Sequence, residues 1–177
     1  HEARHALHNR AYLVEPRDRL WDGKESVAGK TMLLKAEQGL GDTIQFCRYA
    51  TLVAGMGARV VLAVPPPLKK LMMTLEGVSE VISSGDDLPG YDLHCPLLSL
   101  PRAFGTSYFN IPAKKRYLSA DQDAVAAWSA LLPANGRKRV GLVWNGGFRL
   151  NRPDHWGTNE RRNIPMGDFF RILDLDH

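Results

Sequence analysis

The chain has 177 residues, 44 % of them hydrophobic and 24 % charged, the balance of a globular domain and not of a disordered or fibrous segment. No apolar run reaches the roughly 18 residues of a membrane span. The formal charge of +4 is spread over short clusters, Lys114-Lys115-Arg116, Arg137-Lys138-Arg139 and Arg161-Arg162, without an aromatic-studded nucleic-acid motif; this disfavours nucleic acid as the partner and suits phosphate-bearing small molecules.

Two cysteines, Cys47 and Cys95, stand far apart with no CxxC spacing. They imply neither a zinc site nor a disulfide scaffold, and they fit a reduced, cytoplasmic setting. The opening HEARHALHNR has no apolar signal-peptide core and does not begin with Met. The chain is accordingly expected to be a fragment, a processed product or a trimmed form.

Residues 1–29 read as a peripheral extension. His1, His5 and His8 fall at helical spacing but bring no carboxylate with them, so the tail of a helical segment is expected there in preference to a metal site. Trp21-Asp22-Gly23 reads as a turn with an aromatic anchor. The regular pattern begins at Lys30. Thr31–Leu34 is a short buried strand, and Glu37–Asp42 is a loop. Thr43 to about Met56 reads as a helix ended by Gly55 and Gly57. Arg59–Val64 is a β-branched second strand, stopped by Pro65-Pro66-Pro67, with a helix starting near Leu68. Glu80–Ser83 and Tyr91–Cys95 are the third and fourth strands, and Asp121 caps a helix running to Leu132. This alternation predicts an α/β domain over residues 30–135, a parallel sheet with helices on both faces.

A polar linker follows. Arg139–Trp144 then reads as a fresh strand, Asn145-Gly146-Gly147 as a glycine-rich loop, and the region from Met166 to Leu173 as a helix. Residues 136–177 are thus expected to open a second domain, since a single βα unit cannot bury its own faces.

Ligands of open parallel sheets bind beyond the carboxyl ends of the strands. The first such loop carries Gln38, Gly39 and Gly41 as candidate substrate or phosphate contacts. Its glycines are expected to permit tight turns and close backbone approach, ahead of a helix end with free N–H groups. The dinucleotide fingerprint is only half met, because Ile44 takes the third glycine's place and no acid ends the second strand; NAD is not expected. Asp42 has two readings, an N-cap carboxylate and a general base for an acceptor hydroxyl. His94 likewise reads either as a hydrogen-bonded strand residue or as a group facing the cleft. The long polar stretch Asn145–Asn163 supplies Asn145, Gly146, Arg161 and Arg162 as candidate diphosphate contacts.

The stretch LLKAEQGLGDTIQFCRYATLVAGMGARVVLAVPPPL, together with YDLHCPLLSLPRAFGT, RVGLVWNGG and ERRNIPM, resembles the C-terminal catalytic-type region of bacterial tetratricopeptide-repeat proteins. That region is similar to heptosyltransferase-type glycosyltransferases of family 9 and, more distantly, to O-linked N-acetylglucosamine transferases. The resemblance implies a GT-B architecture, in which two Rossmann-like domains face each other across a cleft, the N-terminal one holding the acceptor. It implies transfer of a sugar from a nucleotide-diphospho sugar to a hydroxyl, with the Gly-Asp motif at Gly41-Asp42 carrying the base. The early second-domain contacts would fall on Asn145, Gly146 and Arg161 or Arg162. No metal or other cofactor is implied. The partners would be the donor, the acceptor, the remainder of the second domain and the repeats, so this chain by itself is expected to be inactive.

A second reading stays open beside it: a non-catalytic module that binds a sugar, a nucleotide or a protein segment next to the repeats, since a fold can outlive its chemistry.

Overall fold

The computed structural model describes residues 16–37, 39–112, 114, 116–132, 136, 139–143, 157, 163–165 and 167–168. The chain divides into two compact units, His1–Leu132 and Pro133–His177. The first contains four strands: β1 (Thr31–Lys35), β2 (Arg59–Ala63), β3 (Val78–Ile82) and β4 (Leu93–Pro96). They form one parallel sheet in the order β3-β2-β1-β4. The expected α/β, Rossmann-like class is therefore present in this unit.

β1 owes its central place to its composition. Met32, Leu33 and Leu34 are consecutive, so both pleat faces are apolar, and all three are essentially inaccessible to water. Such a run satisfies its backbone only between two other strands. Leu33 pairs with Val61 of β2 on one side and with His94 of β4 on the other. The even-numbered positions of β1, with Val60, Leu62, Leu93 and Cys95, form the larger core on one face.

Helices α1 (Leu40–Phe46), α2 (Arg48–Gly55) and α3 (Lys69–Met72) cover that face, followed along the chain by the short α4 (Leu100–Ala103). Tyr49, Ala50, Val53, Met72 and Leu100 are their buried contributions. The other face carries a smaller cluster of Leu33, Val61 and Ile82, packed with Ala63 and Tyr91. Among the described residues, every buried helical side chain that joins a core cluster belongs to the larger one.

The region read as one helix from Thr43 to Met56 is two. α1 begins at Leu40, inside the expected loop, and Cys47 separates it from α2. The Cys47 thiol donates to the Ile44 carbonyl (3.2 Å), and the Ala50 N–H bonds the Cys47 carbonyl (2.9 Å), a bond three residues long that tightens the joint. Tertiary packing overrides the poor helix propensity of Gly41 here.

Two glycines are required by the backbone itself. Gly77, with φ +83, turns the chain into β3, and a Cβ there would run into the Ala54 side chain. Gly23, with φ +95, lies against the Ala103 carbonyl. The turn at Gly23 sets Trp21 into the core, where its indole N–H donates to the Glu25 carbonyl (3.0 Å) and its ring meets Phe104 edge-on at 5.7 Å.

The last helix of this unit, α5 (Gln122–Leu131), is capped as expected: the Asp121 carboxylate accepts the Ala124 N–H at 2.8 Å. The strand expected at Arg139–Trp144 is a correction. Residues 139–143 carry no strand, and Val140 and Val143 are largely exposed. An apolar β-branched run becomes a strand only where a neighbouring strand takes up its backbone groups. Of the helix expected from Met166 to Leu173, Gly167 and Asp168 are helical and the rest lies outside the described residues.

Two outcomes follow. Leu62 is fully buried on the larger face, so Leu62→Ala should lower unfolding free energy by about 2–5 kcal/mol in a urea titration. Burial pushes the Cys47 thiol up to about 11 from an ordinary value of 9.0. The folded chain then holds that proton while the unfolded chain releases it, so this contribution is intact below pH 9.0 and is lost as pH rises towards 11. Wild type should therefore lose stability over that window more steeply than Cys47→Ala, and neither cysteine, both being buried, should react with a thiol reagent at pH 8 before denaturation.

Candidate functional site

The strand order locates the site. The chain steps outward from β1 to β2 to β3, then returns across the sheet to place β4 on the other side of β1. The segments leaving β1 and β4 both run onto the larger cluster's face, where α1 follows β1 and Leu97 and Leu100 follow β4, and the edge between them at the strands' carboxyl ends is the candidate crevice. The carboxyl edge of an open parallel sheet is where such folds take their ligands. One lip is Ala36, Glu37 and Gly39 with the first turn of α1. The other is a 3₁₀ turn, Leu97–Ser99, which lies in contact with α1.

Asp42 is the third residue of α1, and Gly39, not Asp42, occupies the cap position. The N-cap reading of Asp42 is therefore corrected: the helix starts two residues earlier than its sequence suggests, and no side chain bonds the cap. Gly39 instead offers its carbonyl to the Thr43 N–H (3.1 Å) and hydroxyl (3.2 Å). Asp42 is half-buried, in the first turn, where a carboxylate is favoured by the helix dipole. No hydrogen bond or ion pair joins its carboxylate to another of the described residues.

The glycines act differently from expectation. Gly39 has φ −55, and Gly41 is not in the left-handed region either, so neither makes the tight turn anticipated for it. A Cβ built on Gly41 would meet nothing within 4 Å. Gly41 is exposed, so a side chain there would point into open space and neither its smallness nor its conformational freedom is required.

His94 is not at this crevice. Its register opposite Leu33 turns it to the smaller cluster's face, whereas α1 packs on the larger one. It is 4 % exposed, and its Nε2 lies 2.8 Å from the Pro16 carbonyl. The Trp21 N–H donates to the His94 carbonyl (2.9 Å), and Leu20 makes a parallel bridge to it. The imidazole pins the segment entering the domain to the sheet, so its place as a cleft-facing catalytic group is corrected; the strand-pairing reading holds.

Gln38, Asn145, Gly146, Arg161 and Arg162 lie outside the described residues, as do His1, His5 and His8. Among the described residues no cluster of three or more metal-ligating side chains occurs. One residue given no role by sequence belongs to this edge: Lys35 ends β1 at the crevice. The signal was a charge closing the apolar run Met32-Leu33-Leu34, since a cation stands at the end of a doubly buried strand only where the strand meets solvent or a polar group.

Asp42 and His94 should separate cleanly in stability. His94→Ala removes a buried ring and its bond to Pro16 and should cost about 1–3 kcal/mol in chemical denaturation. Asp42→Asn should stay within about 0.5 kcal/mol of wild type, because no described partner is lost.

No protein-family model matches this chain, and no curated protein or solved structure matches it either.

Proposed function

We propose that the crevice above β1 and β4 is the acceptor side of a GT-B-type glycosyltransferase, acting on a nucleotide-diphospho sugar and a hydroxyl acceptor. The observation that carries this reading is the Asp42 carboxylate, half-buried in the first turn of α1 at the carboxyl edge of the sheet, unengaged by the described residues and next to the exposed Gly41. The sequence resemblance places a catalytic base at the same residue.

In this mechanism Asp42 accepts the proton of the acceptor hydroxyl. The oxygen forms its bond to the anomeric carbon from the face opposite the diphosphate, the carbon–oxygen bond to the diphosphate breaks, and the nucleoside diphosphate leaves with the electron pair. One displacement inverts the anomeric centre. By sequence resemblance alone, the diphosphate contacts of such enzymes match Asn145, Gly146 and Arg161 or Arg162.

The test is turnover by the full-length protein with a panel of nucleotide-diphospho sugars, read as nucleoside diphosphate release and product formation. Asp42→Asn should lower kcat by about 100-fold or more. Equal rates would remove Asp42 as the base. Donor or acceptor binding without turnover under any condition would replace catalysis with the binding-module reading.

A further inference from the structure

A second feature of the first unit has no part in that chemistry. Between α4 and α5 the chain makes a short excursion whose two stems are tied to the start of α2. The Tyr49 hydroxyl donates to Thr106 Oγ1 (3.0 Å) at one stem, and an Arg48 guanidinium N–H donates to the Pro112 carbonyl (3.0 Å) at the other. Arg48 also donates to the Tyr117 hydroxyl (3.1 Å) and lies 4.7 Å over that ring, while Tyr117 donates to the Ile44 carbonyl (3.0 Å).

The tip is closed from within. The Asn110 carboxamide oxygen accepts from the Ser107 N–H and hydroxyl, and its nitrogen donates to the Gly105 carbonyl (3.3 Å).

This bracing holds two aromatic rings in water. Tyr108 is 85 % and Phe109 93 % exposed, the rings meet edge to face at 5.6 Å, and Ile111 is half exposed beside them. Their exposure is imposed by polar bonds, and it runs against the hydrophobic effect.

Charge singles out the same segment. From Arg102 to Ala120 there is no Asp or Glu, while Arg102, Lys114, Lys115 and Arg116 are basic. These four cations equal the chain's whole formal excess of +4, so the rest of the sequence is balanced. Lys114 pairs with Glu76 at 2.6 Å, but both are exposed, and such a pair yields readily to a stronger anion.

We infer that this loop docks the domain onto an anionic lipid surface, with Tyr108 and Phe109 entering the headgroup region and the basic residues facing the phosphates. Aromatic side chains settle at that depth, and cations beside them add attraction to acidic headgroups. A single-stranded nucleic acid would need ring faces open for base stacking. Here one ring turns its edge to the other, and an aliphatic side chain completes the tip, which suits acyl chains better than bases.

The experiment is co-sedimentation of the purified chain with vesicles of phosphatidylcholine alone and with added phosphatidylglycerol. The comparison protein is Tyr108→Ser/Phe109→Ser, whose circular dichroism and unfolding midpoint should match wild type because both positions are exposed. Wild type should partition onto the phosphatidylglycerol vesicles, and the double variant about tenfold more weakly. Lys114→Ala/Arg116→Ala should also weaken binding, as should raising salt from about 0.05 M to about 0.5 M.

Failure of wild type to bind, equal binding to neutral vesicles, or unchanged binding by the aromatic variant would each overturn the proposal. So would tight binding of a fluorescent oligonucleotide, or dimerisation without vesicle binding, if either is abolished by the same aromatic substitutions.

Discussion

The structure depends on the double burial of β1. Three successive apolar residues, Met32, Leu33 and Leu34, have no face to show to water, so the strand is stable only with a neighbour on each side and a layer on each face. Parallel pairing to β2 and β4 meets the first demand, and the two hydrophobic clusters meet the second. Because β1 is interior, the chain leaving it emerges in the middle of the sheet's carboxyl edge, beside the turn that follows β4. The placement of Asp42 is a consequence of that topology. Moved to an edge strand, the same Gly-Asp sequence would face solvent with no second lip.

The entering segment shows how the sheet's boundary is finished. β4 is an edge strand, and edges need cover. Leu20 bridges to His94, Trp21 donates to the His94 carbonyl, and the His94 ring meets the Pro16 carbonyl. A histidine that looks catalytic in the sequence, beside an aspartate and a cysteine near a strand end, is occupied with closing that edge. Asp92 is similarly engaged, its carboxylate accepting the Thr31 N–H at 2.7 Å where β1 begins. Polar residues around β4 thus serve strand pairing and the closing of the sheet's edge.

Much of this was legible in the sequence. Short apolar runs separated by glycine and proline marked all four strands to within two residues, most clearly β1 and β2, whose successive buried residues are apolar on both faces. The Asp121 cap was legible because capping is local: the aspartate and the N–H it accepts are three residues apart. The first turn of α1 was not, since Gly39-Leu40-Gly41 has loop composition and is made helical by contacts with residues nearly sixty positions later, at Leu97–Ser99. Nor was the apolar run after Arg139 a reliable strand, because β-branched residues favour a pleated, half-buried surface and cannot supply one for themselves.

The sequence by itself determined the class of the domain, its four described strands and the cap of α5 at Asp121. These follow from local composition and from periodicity, which act over a few residues. Tertiary structure alone decided the order β3-β2-β1-β4, and with it that His94 lies on the face away from α1. It turned His94 to the far face through a register set by Leu33, and it left the carboxylate of Asp42 without a described partner. Side-chain direction in a sheet changes with every residue, and a neighbour's register cannot be read from the strand it pairs with.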